Sequence, residues 1–254
     1  MARRVDLIAS TLAFALLSST LGAQATSDSL RIYYVGRPVG WEHYTLAHTA
    51  KDVQLTADWN YVDRGRRIHT TAAARLGADY SPRTLKVDRL SDTTRAPALD
   101  ISVDGTHATV TRNGGAAVTI DLPTIAFAIS QYTPVSQHLA LLRYWKAHGS
   151  PASLAVFPGD PLNPVKIRQE GVDDLSVGSR RIALTRYSID GVVWGIEYAW
   201  LDPEGRLAMF TSAAGGLSTK TVRAELVPQY DDLMRIATHA AMHDLEATSS
   251  AAMP

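Results

Sequence analysis

The chain has 254 residues, equal numbers of basic and acidic side chains, and no cysteine. This length fits one domain behind a leader segment, and the charge balance excludes a nucleic-acid-binding surface, which would show a basic stripe. A chain without cysteine forms no disulfide, so its stability must come from a hydrophobic core. With 46% hydrophobic residues the chain can build one.

The first 25 residues have the three parts of a secretory signal peptide. Arg3 and Arg4 precede an apolar run over residues 7–21, and residues 22–25 (GAQA) supply an A-x-A cleavage site. We expect cleavage after Ala25, which leaves about 229 residues with a net charge near −1. The run is rich in Ala and Ser, so no stable membrane span is expected after cleavage. The sequence therefore predicts a periplasmic or secreted protein.

Residues 30–122 read as short strands separated by turn residues. Strands are expected at 30–35, 41–49, 53–62, 67–76, 83–90, 99–103, 107–112 and 117–122. Asp104-Gly105 and Asn113-Gly114, which separate the last three, are strong two-residue hairpin signals. This succession predicts an antiparallel meander rather than the strand–helix alternation of a parallel sheet.

One amphipathic helix is expected in the middle of the chain, over residues 133–148. Thr133 suits the N-cap, Pro134 suits the first helical position, and Gly149 ends the helix. The apolar stripe at helical spacing consists of Val135, His138, Leu139, Leu142 and Trp145. A lone amphipathic helix among strands needs a sheet against which to bury that stripe.

The second half of the chain returns to strands and closes with another helix. Strands are expected at 153–157, 165–169, 180–189, 193–201, 207–212 and 220–226, and the helix runs from Pro228 to about Glu246. We divide the chain into a signal peptide (1–25), a sheet domain (26–227), a C-terminal helix (228–247) and a flexible tail or linker (248–254). The predicted fold is mainly β, a curved antiparallel half-barrel of about a dozen strands around one central helix, plus the C-terminal helix.

This order of elements resembles the periplasmic half-barrels related to the outer-membrane lipoprotein carriers, and an uncharacterised family of exported β-domains. The resemblance rests on the Gly-containing turn at 36–40, the apolar segment and helix at 125–145, and the hairpin at 191–210. It covers most of residues 29–227 and implies a half-barrel with an apolar interior. Domains of this kind also occur ahead of exported amidohydrolase barrels, joined by a helix similar to 228–246, so a downstream hydrolase domain is a possible partner.

That catalytic barrel has no place in this chain. No His-x-His motif follows a first strand, and the residues left over cannot hold the ~250 that a barrel needs. His239 and His243 have the four-residue spacing of a zinc pair, but a third ligand and the Glu of H-E-x-x-H are missing. We therefore expect no catalytic residue, no metal and no cofactor in these residues.

The interior of the half-barrel is the predicted binding site. The residues expected to line it are Trp41, Trp59, His138, Leu142, Trp145, Trp194, Tyr198 and Trp200. Strand alternation separates Trp194, Tyr198 and Trp200 from Glu197, which we expect on the surface, and His138 is expected to be a buried, hydrogen-bonded histidine. An open interior would bind a lipid-like or other apolar ligand. The alternative is an interior that the central helix fills.

These expectations combine into two hypotheses. The first is an exported, non-catalytic half-barrel that binds an apolar ligand or serves as an accessory domain. The alternative is the N-terminal portion of a secreted metal-dependent amidohydrolase whose barrel lies beyond this chain.

Overall fold

The computed structural model describes residues 24–91, 94–130, 133–159, 162–212 and 219–252. The predicted signal peptide lies outside these residues except for Gln24 and Ala25, which begin the first strand opposite His48 and Ala47. No helix in the described part of the chain is long and apolar enough to span a membrane.

The described residues form fifteen strands and two α-helices. The strands are β1 (Gln24–Tyr34), β2 (Arg37–His48), β3 (Asp52–Asp63), β4 (Arg66–Gly77), β5 (Pro82–Leu90), β6 (Arg95–Asp104), β7 (His107–Arg112), β8 (Ala117–Asp121), β9 (Ala126–Ala128), β10 (Leu154–Phe157), β11 (Asn163–Val177), β12 (Arg180–Asp190), β13 (Ile196–Leu201), β14 (Leu207–Ser212) and β15 (Thr219–Arg223). The helices are α1 (Val135–Ala147) and α2 (Tyr230–Ala252), and a 3-10 helix covers Ala224–Gln229. The predicted fold class, a mainly β protein built on one curved sheet with a central and a C-terminal helix, is confirmed.

All fifteen strands belong to one sheet, in the order β8-β7-β6-β5-β4-β3-β2-β1-β15-β14-β13-β12-β11-β10-β9. The first and last strands therefore pair at the centre, with Leu30 opposite Arg223, and β8 and β9 form the edges. Neighbours are antiparallel with one exception, because β9 and β10 run parallel. The sheet departs from the predicted antiparallel pairing at this edge, because β9 and β10 are joined through α1 and a helical crossover connects parallel strands.

α1 fills the inner face of the curved sheet. Its buried residues run without a break from Val135 to Leu142, about two turns, so this part of the helix has no exposed side. It packs in a single apolar cluster with residues of both halves of the sheet, from Leu55 on β3 to Leu207 on β14. Of the two predicted alternatives, the structure has the filled interior.

α2 covers the opposite, outer face over β13 and β14. Tyr198 and Trp200 of β13 pack there in a second apolar cluster with Leu233 and Ala237 of α2. These strands are thus buried on both faces, by α1 on one side and α2 on the other. The 3-10 helix takes up Pro228, the predicted start of α2, and α2 extends to Ala252, into the stretch predicted as a tail.

Candidate functional site

The structure separates the residues predicted to line one cavity. His138, Leu142 and Trp145 of α1 are buried in the interior, where Trp145 packs edge-on against Tyr187 at a centroid distance of 6.2 Å. Trp59 shares the inner face of β3 with Leu55 and is stacked on Tyr61 at 4.9 Å. His138, Leu142, Trp145 and Trp59 are therefore packing residues of the interior that α1 fills.

The other four aromatic residues lie away from α1. Tyr198 and Trp200 are on the outer face under α2, where the indole N–H of Trp200 donates to Asp173 at 2.8 Å. Trp194 lies in the β12–β13 loop and is 87% exposed. Trp41 lies half-buried on the outer face of β2, with its ring 4.4 Å from that of His43.

A buried polar centre holds the N-terminus of α1. Two backbone N–H groups, of Val135 and Ser136, donate to the two carboxylate oxygens of Glu42 at 2.7 and 2.8 Å. Glu42 comes from β2 and is fully buried. Glu42 therefore caps the helix, the role predicted for Thr133. The Thr133 hydroxyl instead donates to the Ser130 carbonyl oxygen at 2.7 Å. A carboxylate at this position satisfies donors that have no partner within the helix and complements the helix dipole.

Burial raises the pKa of Glu42, an effect that the hydrogen bonds from Ser136 and Val135 oppose. One turn further along α1, His138 Nε2 lies 3.2 Å from a carboxylate oxygen of Glu197, without the alignment of a hydrogen bond. His138 is buried as predicted, but the predicted hydrogen bond is not formed, since neither of its ring nitrogens has a hydrogen-bond partner among the described residues. The prediction that Glu197 is a surface residue was also wrong, since it is 1% exposed. Both carboxylates are closed off from solvent, so the centre anchors α1 and offers no surface to a substrate.

A groove of about 760 Å³ opens on the outer face of β1–β5, opposite α1. Its lining consists mostly of short hydroxyl and charged side chains together with strand backbone and Ala224 and Glu225 of the 3-10 helix: Ser27, Asp28, Ser29, His43, Tyr44, Thr45, Thr56, Ala57, Asp58, Thr71, Ala72, Ala73, Lys86, Asp88, Arg95, Ala224 and Glu225. We call this feature the outer groove.

Strand register brings the polar side chains of the outer groove together in rows. Ser29, His43 and Asp58 are successive cross-strand partners, and the Ser29 hydroxyl lies 2.5 Å from His43 Nδ1. Asp58 accepts from His69 Nε2 at 2.7 Å. The indole of Trp41 lies beside both imidazoles, 4.4 Å from the His43 ring and 6.4 Å from the His69 ring.

The far side of the outer groove carries opposite charges. Arg95 at the start of β6 donates to Asp88 at 2.9 Å and to the hydroxyl of Thr71 at 3.3 Å. Asp88 is buried and Lys86 is exposed on the same strand. The outer groove therefore offers hydroxyl, carboxylate, imidazole and cationic groups within one depression.

This arrangement is suited to binding rather than to nucleophilic catalysis. A serine–histidine pair needs an orienting carboxylate on the histidine, and Asp58 is bonded to His69 instead. Stabilising an oxyanion also needs free backbone N–H groups, whereas those of central strands are used in the ladder. Within the described residues no group of three His, Asp or Glu side chains is placed to hold a metal ion. His239 and His243 line a separate shallow depression of about 510 Å³ along α2.

The sequence reading missed the outer groove because it placed the binding site among apolar residues. The available signal was the outward-facing half of the strand alternation. Ser27 and Ser29 on β1, and Thr45 on β2, carry hydroxyls where a solvated strand often carries Lys or Glu.

Comparison with known proteins supports the fold and goes no further. No protein-family model matches the chain, and no curated protein matches it significantly. Among solved structures, the chain is similar to a β-barrel-like protein of domain of unknown function DUF1849 from Brucella abortus. The TM-score is 0.50 at 11% identity, over 80% of this chain and 95% of that one. The chain is thus a barrel-like β domain, and this neighbour lends no support to the predicted kinship with lipoprotein carriers or amidohydrolases.

Proposed function

We propose that the chain is an exported, non-catalytic binding domain whose ligand site is the outer groove. The observation that carries this proposal is a 760 Å³ depression with polar side chains on the face opposite a filled interior. Export is the role of the predicted signal peptide, and a sheet closed around its own helix suits a chain without disulfides.

The chemistry of the outer groove favours a hydroxyl-rich, carbohydrate-like ligand. Hydroxyl and carboxylate side chains can donate to and accept from neighbouring hydroxyls, and Thr45, Thr56 and Asp58 present such groups on adjacent strands. Five strands spaced by about 4.8 Å give a length of ~19 Å, enough for a short extended ligand. The Trp41 ring provides an apolar face beside these groups, held by its contacts with His43 and His69.

A glycan array followed by calorimetric titration of the best-bound oligosaccharide tests this proposal. We expect Trp41→Ala to weaken binding about fivefold, since a lost aromatic contact is worth on the order of 1 kcal/mol. Trp194→Ala is the matched control because it removes an exposed indole of the β12–β13 loop, whereas the Trp41 ring packs against His43 of the outer groove. Absence of any bound glycan, or equal affinity of the Trp41 variant and the wild type, would refute the proposal.

The apolar ligand expected from the sequence is a second candidate, favoured by the continuous apolar cluster of the inner face. Such a ligand could enter only if α1 moved, and Glu42 holds the N-terminus of that helix. Saturable uptake of a fluorescent fatty acid that increases in Glu42→Ala would support this candidate. No uptake by either protein would leave the outer groove as the site.

A further inference from the structure

Four hairpins turn at the same end of the sheet. Because β1 to β8 alternate in direction, the β1–β2, β3–β4, β5–β6 and β7–β8 connections all lie at one end. We call these four connections, with the three strand residues on either side of each, the arginine rim.

The arginine rim is strongly basic. Its arginines are Arg37, Arg64, Arg66, Arg67, Arg89, Arg95 and Arg112, and its described acidic residues are Asp63 and Asp88; the sequence between β5 and β6 adds Asp92. Seven positive charges against three negative charges leave a net charge of +4. The hairpins at the opposite end of the same strands, counted in the same way, carry Lys51, Arg75 and Arg83 against Asp52, Asp79 and Asp104, a net charge of zero. A nearly neutral chain therefore has a marked charge asymmetry along the strands.

Several of these arginines have no acidic partner. Arg95 pairs with Asp88 at 2.9 Å, and Arg64 lies 3.9 Å from Asp63. Arg37, Arg66, Arg67 and Arg112 are exposed and form no ion pair within the described residues. Cations held at hairpin tips without internal partners are free to meet an external anion.

Apolar side chains project at the same end. Val35 at the tip of the β1–β2 hairpin is 78% exposed, and Val62 near the β3–β4 turn is also exposed. From β1 through β15, β14 and β13 to β12 each step reverses direction, so the β12–β13 loop lies at this end as well. That loop carries Trp194 at 87% exposure, followed by the exposed Ile196.

We propose that the arginine rim, with Val35, Val62 and Trp194, docks this domain onto the surface of an anionic lipid bilayer. Arginines near such a surface are attracted by its negative potential, and tryptophan favours the interface between headgroups and acyl chains. The apolar side chains stand on separate hairpin tips among cations, which suits shallow insertion between headgroups. A protein partner would instead meet a contiguous apolar patch with few charges at its core.

Co-sedimentation with phosphatidylcholine vesicles, with and without phosphatidylglycerol, tests this proposal. We expect the protein to bind the anionic vesicles at low salt and to be released by added NaCl. The double variant Arg66→Gln/Arg67→Gln is expected to bind them about 25-fold more weakly, at about fivefold for each arginine. Trp194→Ala is expected to weaken binding several-fold, because it removes the exposed interfacial anchor.

The matched control is Arg180→Gln/Arg181→Gln. This pair also begins a strand just after a tight turn and is exposed, but β12 starts at the opposite end of the sheet. We expect this control variant to bind anionic vesicles as the wild type does, and we expect the same of Trp41→Ala. The proposal of a ligand site in the outer groove and the proposal of bilayer docking by the arginine rim can therefore fail independently. Equal losses for the two arginine pairs, equal binding to neutral and anionic vesicles, or binding to soluble polyphosphate but to no vesicle would each overturn the proposal.

Discussion

Replacing Glu42 by alanine should be among the most destabilising single substitutions in this domain. The change removes the only carboxylate that accepts from the Val135 and Ser136 N–H groups among the described residues, at a fully buried position. Each buried donor left without an acceptor costs roughly 1–3 kcal/mol, so the two together lower the free energy of unfolding by about 4 kcal/mol. A domain of this size has roughly 5–15 kcal/mol in total.

Urea denaturation followed by circular dichroism measures this loss directly. Glu204→Ala is the matched control, because Glu204 is an exposed glutamate in the β13–β14 turn and its loss should change stability by less than about 0.5 kcal/mol. Glu42→Gln keeps one acceptor oxygen and should fall between the two. If Glu42→Ala were as stable as Glu204→Ala, the reasoning that Glu42 anchors α1 would be wrong.

Three further predictions concern stability. Because burial raises the pKa of Glu42 above its ordinary value of 4.5, the folded state holds this proton more tightly than the unfolded state does. The wild type should therefore lose stability relative to Glu42→Gln as pH rises from 4.5 towards the folded-state pKa, as urea titrations across that range would show. Arg223 is 2% exposed and pairs with Asp202 at 2.7 Å, so Arg223→Met should cost about 3 kcal/mol in urea unfolding, part of which Asp202→Asn restores. A Cβ at Gly40 would collide with the carbonyl oxygen of Asn60, so Gly40→Ala should disturb the β2–β3 pairing and lower the melting temperature measured by calorimetry.

Most strands could be predicted because turn residues and alternation mark them locally. Asn113-Gly114 predicted the β7–β8 hairpin, and both residues adopt the positive φ that this turn requires. β9 was not predicted, because three apolar residues ahead of a helix resemble the segment that leads into that helix. Only its pairing with β10, across α1, reveals it as a strand. That pairing depends on long-range packing, which a local pattern does not contain.

The positions of the site residues were harder to predict, because they depend on the register between strands and on which helix covers each face of the sheet. Glu42 acts on α1 across 93 residues of chain, so no spacing rule relates it to Val135. Strand alternation correctly placed Glu197 and Trp200 on opposite faces of β13. It could not show that both faces are buried, one under α1 and the other under α2. The sequence therefore predicted a common interior for side chains that the structure divides between two faces.

The pairing of β1 with β15 also bears on how this chain must fold. Leu30 and Arg223 are adjacent in the sheet but 193 positions apart in sequence, whereas most other neighbours are joined by short hairpins. Each hairpin-linked half can assemble early at little loop-closure cost, and the central seam has to wait for the last strand. Until then the two edges that form the seam are open to other chains, which makes this stage the one most prone to aggregation. Pulse-labelled hydrogen exchange during refolding should accordingly find that the amides bonded between β1 and β15 are protected last, after those that pair β1 with β2 and β14 with β15. Early protection of the amides between β1 and β15 would contradict this order.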